Sequence, residues 1–178
     1  SFSIFLSFML VATLACLSFG INVGDYQTYN LFYFDVFTNP GKYQDSPLAL
    51  LLTSFPAKLF SLILQPILLE PRLMLVAAVA CNSFSLFLSY KCICKFVNSF
   101  DALILTLVIG LIISSPIAGF PNTELVFTRK SVTALLLIAG FFTFLELRII
   151  LSSALFGLAA LLHPLDAMSA LFFVAPGL

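Results

Sequence analysis

From Phe2 to Ile21 the chain carries no charged side chain, and it then breaks into Asn22-Val23-Gly24-Asp25-Tyr26, an acid placed where an apolar run ends. About twenty helical residues at about 1.5 Å each cover the roughly 30 Å hydrocarbon core of a bilayer, so the run has the length of a membrane helix and Asp25 the depth of its interface. A backbone inside hydrocarbon must satisfy its own polar groups, and a helix does so within one segment. The expected fold class is all-α: a polytopic transmembrane helical bundle with an external loop, about 22–47, carrying short interfacial helices.

Composition agrees with this reading. The 178 residues are 61% hydrophobic and 9% charged, with a mean hydropathy of +1.14, whereas a soluble domain holds about a quarter charged residues. Eight lysines plus arginines balance eight aspartates plus glutamates, so no net field draws the chain to nucleic acid and none is expected as a partner. Function rests on individual charges.

A signal peptide is the rival reading of residues 1–21, but the run exceeds a typical h-region and lacks a basic flank and a small-residue cleavage site. A retained helix is expected. The chain starts at Ser1 and stops at Leu178, just after a short apolar stretch from Ala167 to Ala175. The whole is read as a single transmembrane domain, a fragment of a longer polytopic protein.

Apolar segments fall at about 2–21, 48–69, 73–90, 102–119, 132–147 and 149–162, with a further start at 167. The segment 48–69 contains Pro56, Lys58, Gln65 and Pro66. Proline removes a helix donor and a lysine at mid-bilayer is costly, so this segment is either a kinked span or a helix lying in the interface. Lys91 and Lys95 form the cleanest basic cluster in a short connection, which the positive-inside rule places in the cytoplasm. With 48–69 not crossing, the stretch from Asn22 to Arg72 is external, and so are the loops around Glu124 and His163.

Within the loop, Tyr26, Tyr29, Tyr33 and Phe37 recur at helical spacing beside Gln27, Thr28, Asn30 and Asp35, the pattern of a short interfacial helix. Asn39-Pro40-Gly41 follows as a turn signal. Glu146 and Arg148, between two apolar runs, mark a tight helical hairpin. Asn82, Ser85 and Ser89 share one side of the 73–90 helix, where they are expected to hydrogen-bond a neighbouring helix. Cys16, Cys81, Cys92 and Cys94 have no zinc or disulfide spacing; Cys92 and Cys94, beside a helix end, are either palmitoylation sites or ordinary cysteines.

Four groups of residues are candidates for chemistry. Asp25 either caps a helix beginning at Tyr26 or serves as a catalytic carboxylate or cation ligand, because the adjacent bilayer lowers the dielectric and strengthens its pull on a proton or metal. Asp45 is the second acid of the loop, a turn residue before Pro47 or part of the same site. Pro121-Asn122-Thr123-Glu124 with Arg129 and Lys130 makes a polar loop of both signs, whose cations either anchor a helix at the interface or hold a phosphate. His163-Pro164-Leu165-Asp166 contains the only histidine. There a ring oriented by Asp166 could meet a lipid phosphate or move a proton, and the plainer alternative is a hydrated helix junction. Nucleotide-binding and nucleophile-elbow motifs are absent from the sequence.

A first apolar helix, Gly24-Asp25-Tyr26-Gln27 directly after it, a polar loop with surface helices and many later spans resemble the amino-terminal part of the GT-C superfamily, the membrane glycosyltransferases that use polyprenyl-phosphate sugars. Gly24-Asp25, the Asn39-Pro40 to Tyr43-Gln44-Asp45 segment, Pro121-Asn122-Thr123-Glu124 and His163-Pro164 are similar to bacterial multi-spanning proteins of that architecture. The resemblance implies a multi-pass protein of the bacterial inner membrane. In such an enzyme Asp25 is the general base or a divalent-cation ligand, and Arg129, Lys130 or His163 meets the phosphate of a lipid-linked sugar. The usual neighbouring acidic pair is missing, since Tyr26 follows Asp25. The alternative is a transporter or channel component, with Asp25, Glu124, His163 and Asp166 lining a path, or a structural membrane subunit.

Overall fold

The computed structural model describes residues 2–18, 35, 39–43, 67, 70–113, 129–163, 167 and 168. The chain is all-α: the described residues form helices α1 (Phe2–Ser18), α2 (Pro71–Ile93), α3 (Ser99–Ile113), α4 (Arg129–Leu145) and α5 (Ile149–Leu162), a 3₁₀ turn at Pro40–Tyr43, and no strand. The segments 19–34 and 44–66 lie outside the described residues, and with them most of the expected surface helix and of the segment 48–69.

Among the described helices α2 alone is long and apolar enough to cross a membrane, over Arg72–Ile93. It begins two residues before its apolar run because Pro71 occupies the first helical position, where a missing N–H costs nothing, and the Glu70 side chain accepts from the Arg72 amide at 3.4 Å. It ends at Cys94, whose amide donates to the Tyr90 carbonyl at 2.9 Å. The five residues 94–98 then lead to α3, which starts three residues before its apolar run for a similar reason. Asn98 Oδ1 accepts from the amides of Phe100 and Asp101 at 3.1 and 3.0 Å, while its Nδ2 donates to Asp101 Oδ2 at 2.6 Å.

Helices α4 and α5 form a tight hairpin across Glu146–Arg148. The Leu147 amide donates to Phe144 O at 2.8 Å and the Arg148 amide to Thr143 O at 2.9 Å, with Leu147 at φ 60. These two bonds and the left-handed residue are the Schellman closure of a helix C-terminus. Further along the hairpin Ser152 Oγ donates to Gly140 O at 2.8 Å, and the Phe156 ring lies against Gly140. A Cβ at position 140 would stand 3.2 Å from that ring, so glycine permits the close approach.

The packing centre joins three elements: Phe8 of α1, Tyr90 of α2 and Ala102 of α3 are buried together, flanked by Ile4, Leu86, Phe87 and Leu103. Phe5 meets Phe84 and Phe87 at ring separations of 5.1 and 5.6 Å, and Phe8 meets Tyr90 at 5.9 Å.

Burial is distributed unusually by residue type. Ser83, Thr106, Ser131, Thr133 and Ser152 are buried together with Ala12, Ala78 and Ala159, while Leu10, Val76, Phe84, Val108, Ile150 and Leu158 are exposed. The inward hydroxyls are satisfied locally where their bonds are described. Ser83 Oγ donates to Val79 O at 2.6 Å and Thr106 Oγ1 to Ala102 O at 2.7 Å, the back-bonding that a hydroxyl on a dry helix face adopts.

Candidate functional site

Two ends of the helix array carry polar groups. At the first, the bend after α2 and the α4–α5 turn come together, and Lys95 Nζ pairs with Glu146 Oε1. That contact fixes directions: α2 and α4 both run toward this end, and α3 and α5 run away from it. Lys95 holds the Glu146 carboxyl below its ordinary value of 4.5, through the hydrogen bond first and the charge second. Lys91, one turn earlier, sits with its ammonium 5.6 Å from the centre of the Phe87 ring, within cation–π range.

The second end collects Glu70 at the start of α2, Arg129 and Lys130 at the start of α4, and His163 at the end of α5. The hairpin register, carried from the Glu146–Arg148 turn through Gly140 and Ser152, brings the start of α4 level with the residues just past α5. His163 is half-buried, with extended φ −148 and ψ 89. Pro164 accounts for that backbone, because a residue before proline is driven out of the helical region. Its amide donates to Ala159 O at 2.9 Å and its carbonyl accepts from the Ala167 amide at 3.2 Å.

Of the residues singled out from sequence, the structure thus gathers the backbone of Arg129, Lys130 and His163 at one end. Asp25, Asp45, Glu124 and Asp166 lie outside the described residues. The pairing of His163 with Asp166 and a cation site at Asp25 therefore stand as expectations. Among the described residues no three of histidine, cysteine, aspartate and glutamate come together as a metal ion would need.

Two polar contacts were not foreseen in the sequence. One is Lys95–Glu146, which joins residues 51 positions apart and has no local signature. The other organises the polar loop. Asp35 Oδ1 accepts from Asn39 Nδ2 at 2.7 Å, its Oδ2 meets Lys42 Nζ at 2.9 Å, and its carbonyl accepts from the Asn39 amide at 2.8 Å. Asp35 thus ties down the turn that Asn39-Pro40-Gly41 announces. An acid followed four and seven residues later by a donor is a usable helical-spacing signal for it.

Comparison with protein-family models, with curated proteins and with solved structures finds no match to the chain.

Proposed function

We propose that the chain is a membrane-embedded, multi-pass helical protein and that it acts as a GT-C-like glycosyltransferase, moving a sugar from a polyprenyl-phosphate donor at the external membrane face. The observation that carries the membrane half is the pattern of burial: apart from Phe8, Met74, Tyr90 and Cys92 the buried side chains among the described residues are those of serines, threonines and alanines, while many leucines, isoleucines and valines are exposed. Water would reward the opposite arrangement. Among hydrocarbon tails apolar side chains gain nothing by turning inward, so small residues take the helix contacts and polar hydroxyls the interior. At 15 and 14 residues, α3 and α5 suit partly embedded helices, α3 packed on α2, the helix of spanning length, and α5 packed on α4.

The transferase half rests on the resemblance around Gly24-Asp25-Tyr26-Gln27. Asp25 would take the proton of an acceptor hydroxyl, or bind a divalent cation, at the point where an apolar run meets polar solvent. A cation on the same face would neutralise the departing lipid phosphate, and charge stabilisation there would supply most of the rate. The test is turnover of a panel of polyprenyl-phosphate sugars by the full-length protein and by Asp25→Asn. Asparagine caps a helix about as well as aspartate. Loss of at least about a hundredfold in rate, as for removal of a general base, with unchanged membrane abundance is the expected result. Full activity in the variant, or none in the parent, would leave the transporter reading to be tested by solute uptake.

A further inference from the structure

Large apolar side chains are exposed along much of the helix array, but the most exposed of them are concentrated in one place. Among the described residues they are Ile150 at 89%, Leu147 at 83%, Phe2 at 74%, Phe96 at 70% and Phe100 at 68%. Apart from Phe2, all lie in the α2–α3 connection, in the α4–α5 turn or in the first turn of the helix that follows, at the end where Lys95 meets Glu146. Connections that project into water are built from polar residues; here rings and branched side chains share the end with charges. The charges have a sign. Residues 91–101 and 146–150 hold three cations, Lys91, Lys95 and Arg148, and two acids. Both acids are engaged within the end itself, Glu146 with Lys95 and Asp101 with Asn98 Nδ2 at 2.6 Å. Positive charge remains, on Arg148, which is exposed, and on Lys91, which is half-buried in the last turn of α2. From such a position a lysine stem lies along apolar surface while its ammonium reaches a polar layer.

We propose that the α2–α3 connection and the α4–α5 turn form one lipid-binding surface, with Phe96, Phe100 and Ile150 seated where headgroups meet acyl chains and Lys91 and Arg148 on the phosphates of anionic phospholipids. The inference rests on the membrane reading above, and it does not depend on the transferase activity. Apolar side chains set beside interfacial cations bury about 5–10 Å into that boundary. Phe100 and Ile150, each the second residue of its helix, lean toward the helix N-terminus and so reach the boundary from within. Leu147, between Glu146 and Arg148 at the tip of the turn, stays among the headgroups. A protein partner on this surface would have to strip water from the Lys95–Glu146 pair and from the surplus cations, whereas lipid phosphates keep the cations hydrogen-bonded and the acyl chains take the rings. The positive-inside rule puts the Lys91 and Lys95 cluster in the cytoplasm, where the leaflet is negatively charged. The surface thus lies on the face opposite the proposed sugar transfer.

The chain contains no tryptophan, so Phe96→Trp, Ile150→Trp and Leu158→Trp each place a single fluorescent reporter in the full chain. The test reconstitutes each variant in vesicles of equal parts phosphatidylcholine and phosphatidylglycerol, with bromine on the upper acyl carbons of one lipid or the other. Positions 96 and 150 should emit at shorter wavelength than tryptophan in water and be quenched by brominated lipid, more strongly when the bromine is on phosphatidylglycerol. Adding Lys91→Gln and Arg148→Gln, which spare the Lys95–Glu146 pair, should abolish that preference and keep the quenching. Quenching of positions 96 and 150 by aqueous acrylamide instead of brominated lipid, or by neither, as cover by protein would give, overturns the proposal. Equal quenching by the two lipids before the cations are removed overturns their assignment to anionic phosphates. Position 158, exposed on α5, separates the two readings. Lipid quenching at 158 alone overturns the proposal and leaves the membrane reading standing, and lipid quenching at none of the three positions overturns both.

Discussion

Leu147 holds a backbone conformation, φ 60, that a side chain with a Cβ disfavours, and its own side chain is 83% exposed. The left-handed region costs an L-residue about 1–2 kcal/mol, and nothing apolar is gained here in return. Leu147→Gly is therefore expected to stabilise the hairpin by about 1 kcal/mol, seen as a higher unfolding midpoint of the purified protein in detergent, and Leu147→Val to lower it. The same residue explains a limit of sequence reading. Glu146 and Arg148 between apolar runs announce a turn, but the glycine or asparagine that signals a left-handed cap is replaced by leucine. Elsewhere single residues were legible only once their bonds were seen: Glu70 with Pro71 and Asn98 with Asp101 start α2 and α3 ahead of the apolar runs, because capping is set by side-chain oxygens that hydropathy does not register.

At the scale of elements, the α2–α3 bend and the α4–α5 turn are joined by Lys95–Glu146. Both side chains are partly exposed, so the pair orients the two connections more than it stabilises them. Lys95→Glu should weaken the contact by placing like charges together, and the exchange Lys95→Glu with Glu146→Lys should restore it. Cross-linking of cysteines at 98 and 147 is a suitable measure in each background. The pH dependence has a definite sign. Lys95 lowers the folded-state carboxyl of Glu146 below its ordinary 4.5, so the contribution is complete above that value and is lost as the pH falls through the lowered one. Cross-linking should thus be constant near neutrality and decline only in acid. Glu146→Gln should remove the dependence.

At the scale of the whole molecule, the positions of α2 to α5 were legible because each is a long apolar run between charged or proline-marked breaks. Their directions relative to α1 were not, since the sequence of a helix is silent on which end its neighbour faces. The candidate site was legible only in part: proline after His163 foretells the helix end there, whereas the grouping of His163 with the start of α4 depends on the hairpin register through Gly140. Whether the outward leucines meet lipid or water gives the sharpest test of the whole. Leu158, four residues before the end of α5, is exposed, and on a water-facing helix Leu158→Asp should change stability by no more than about 0.5 kcal/mol. Facing hydrocarbon, the same substitution brings an acid to the membrane interior and should cost about 2.5–3.5 kcal/mol. It should then lower both membrane insertion and the detergent unfolding midpoint, while Arg148→Asp, outside the helices, leaves insertion unchanged. Equal, small effects at the two positions would place the outer face of α5 in water and remove the basis for the membrane reading.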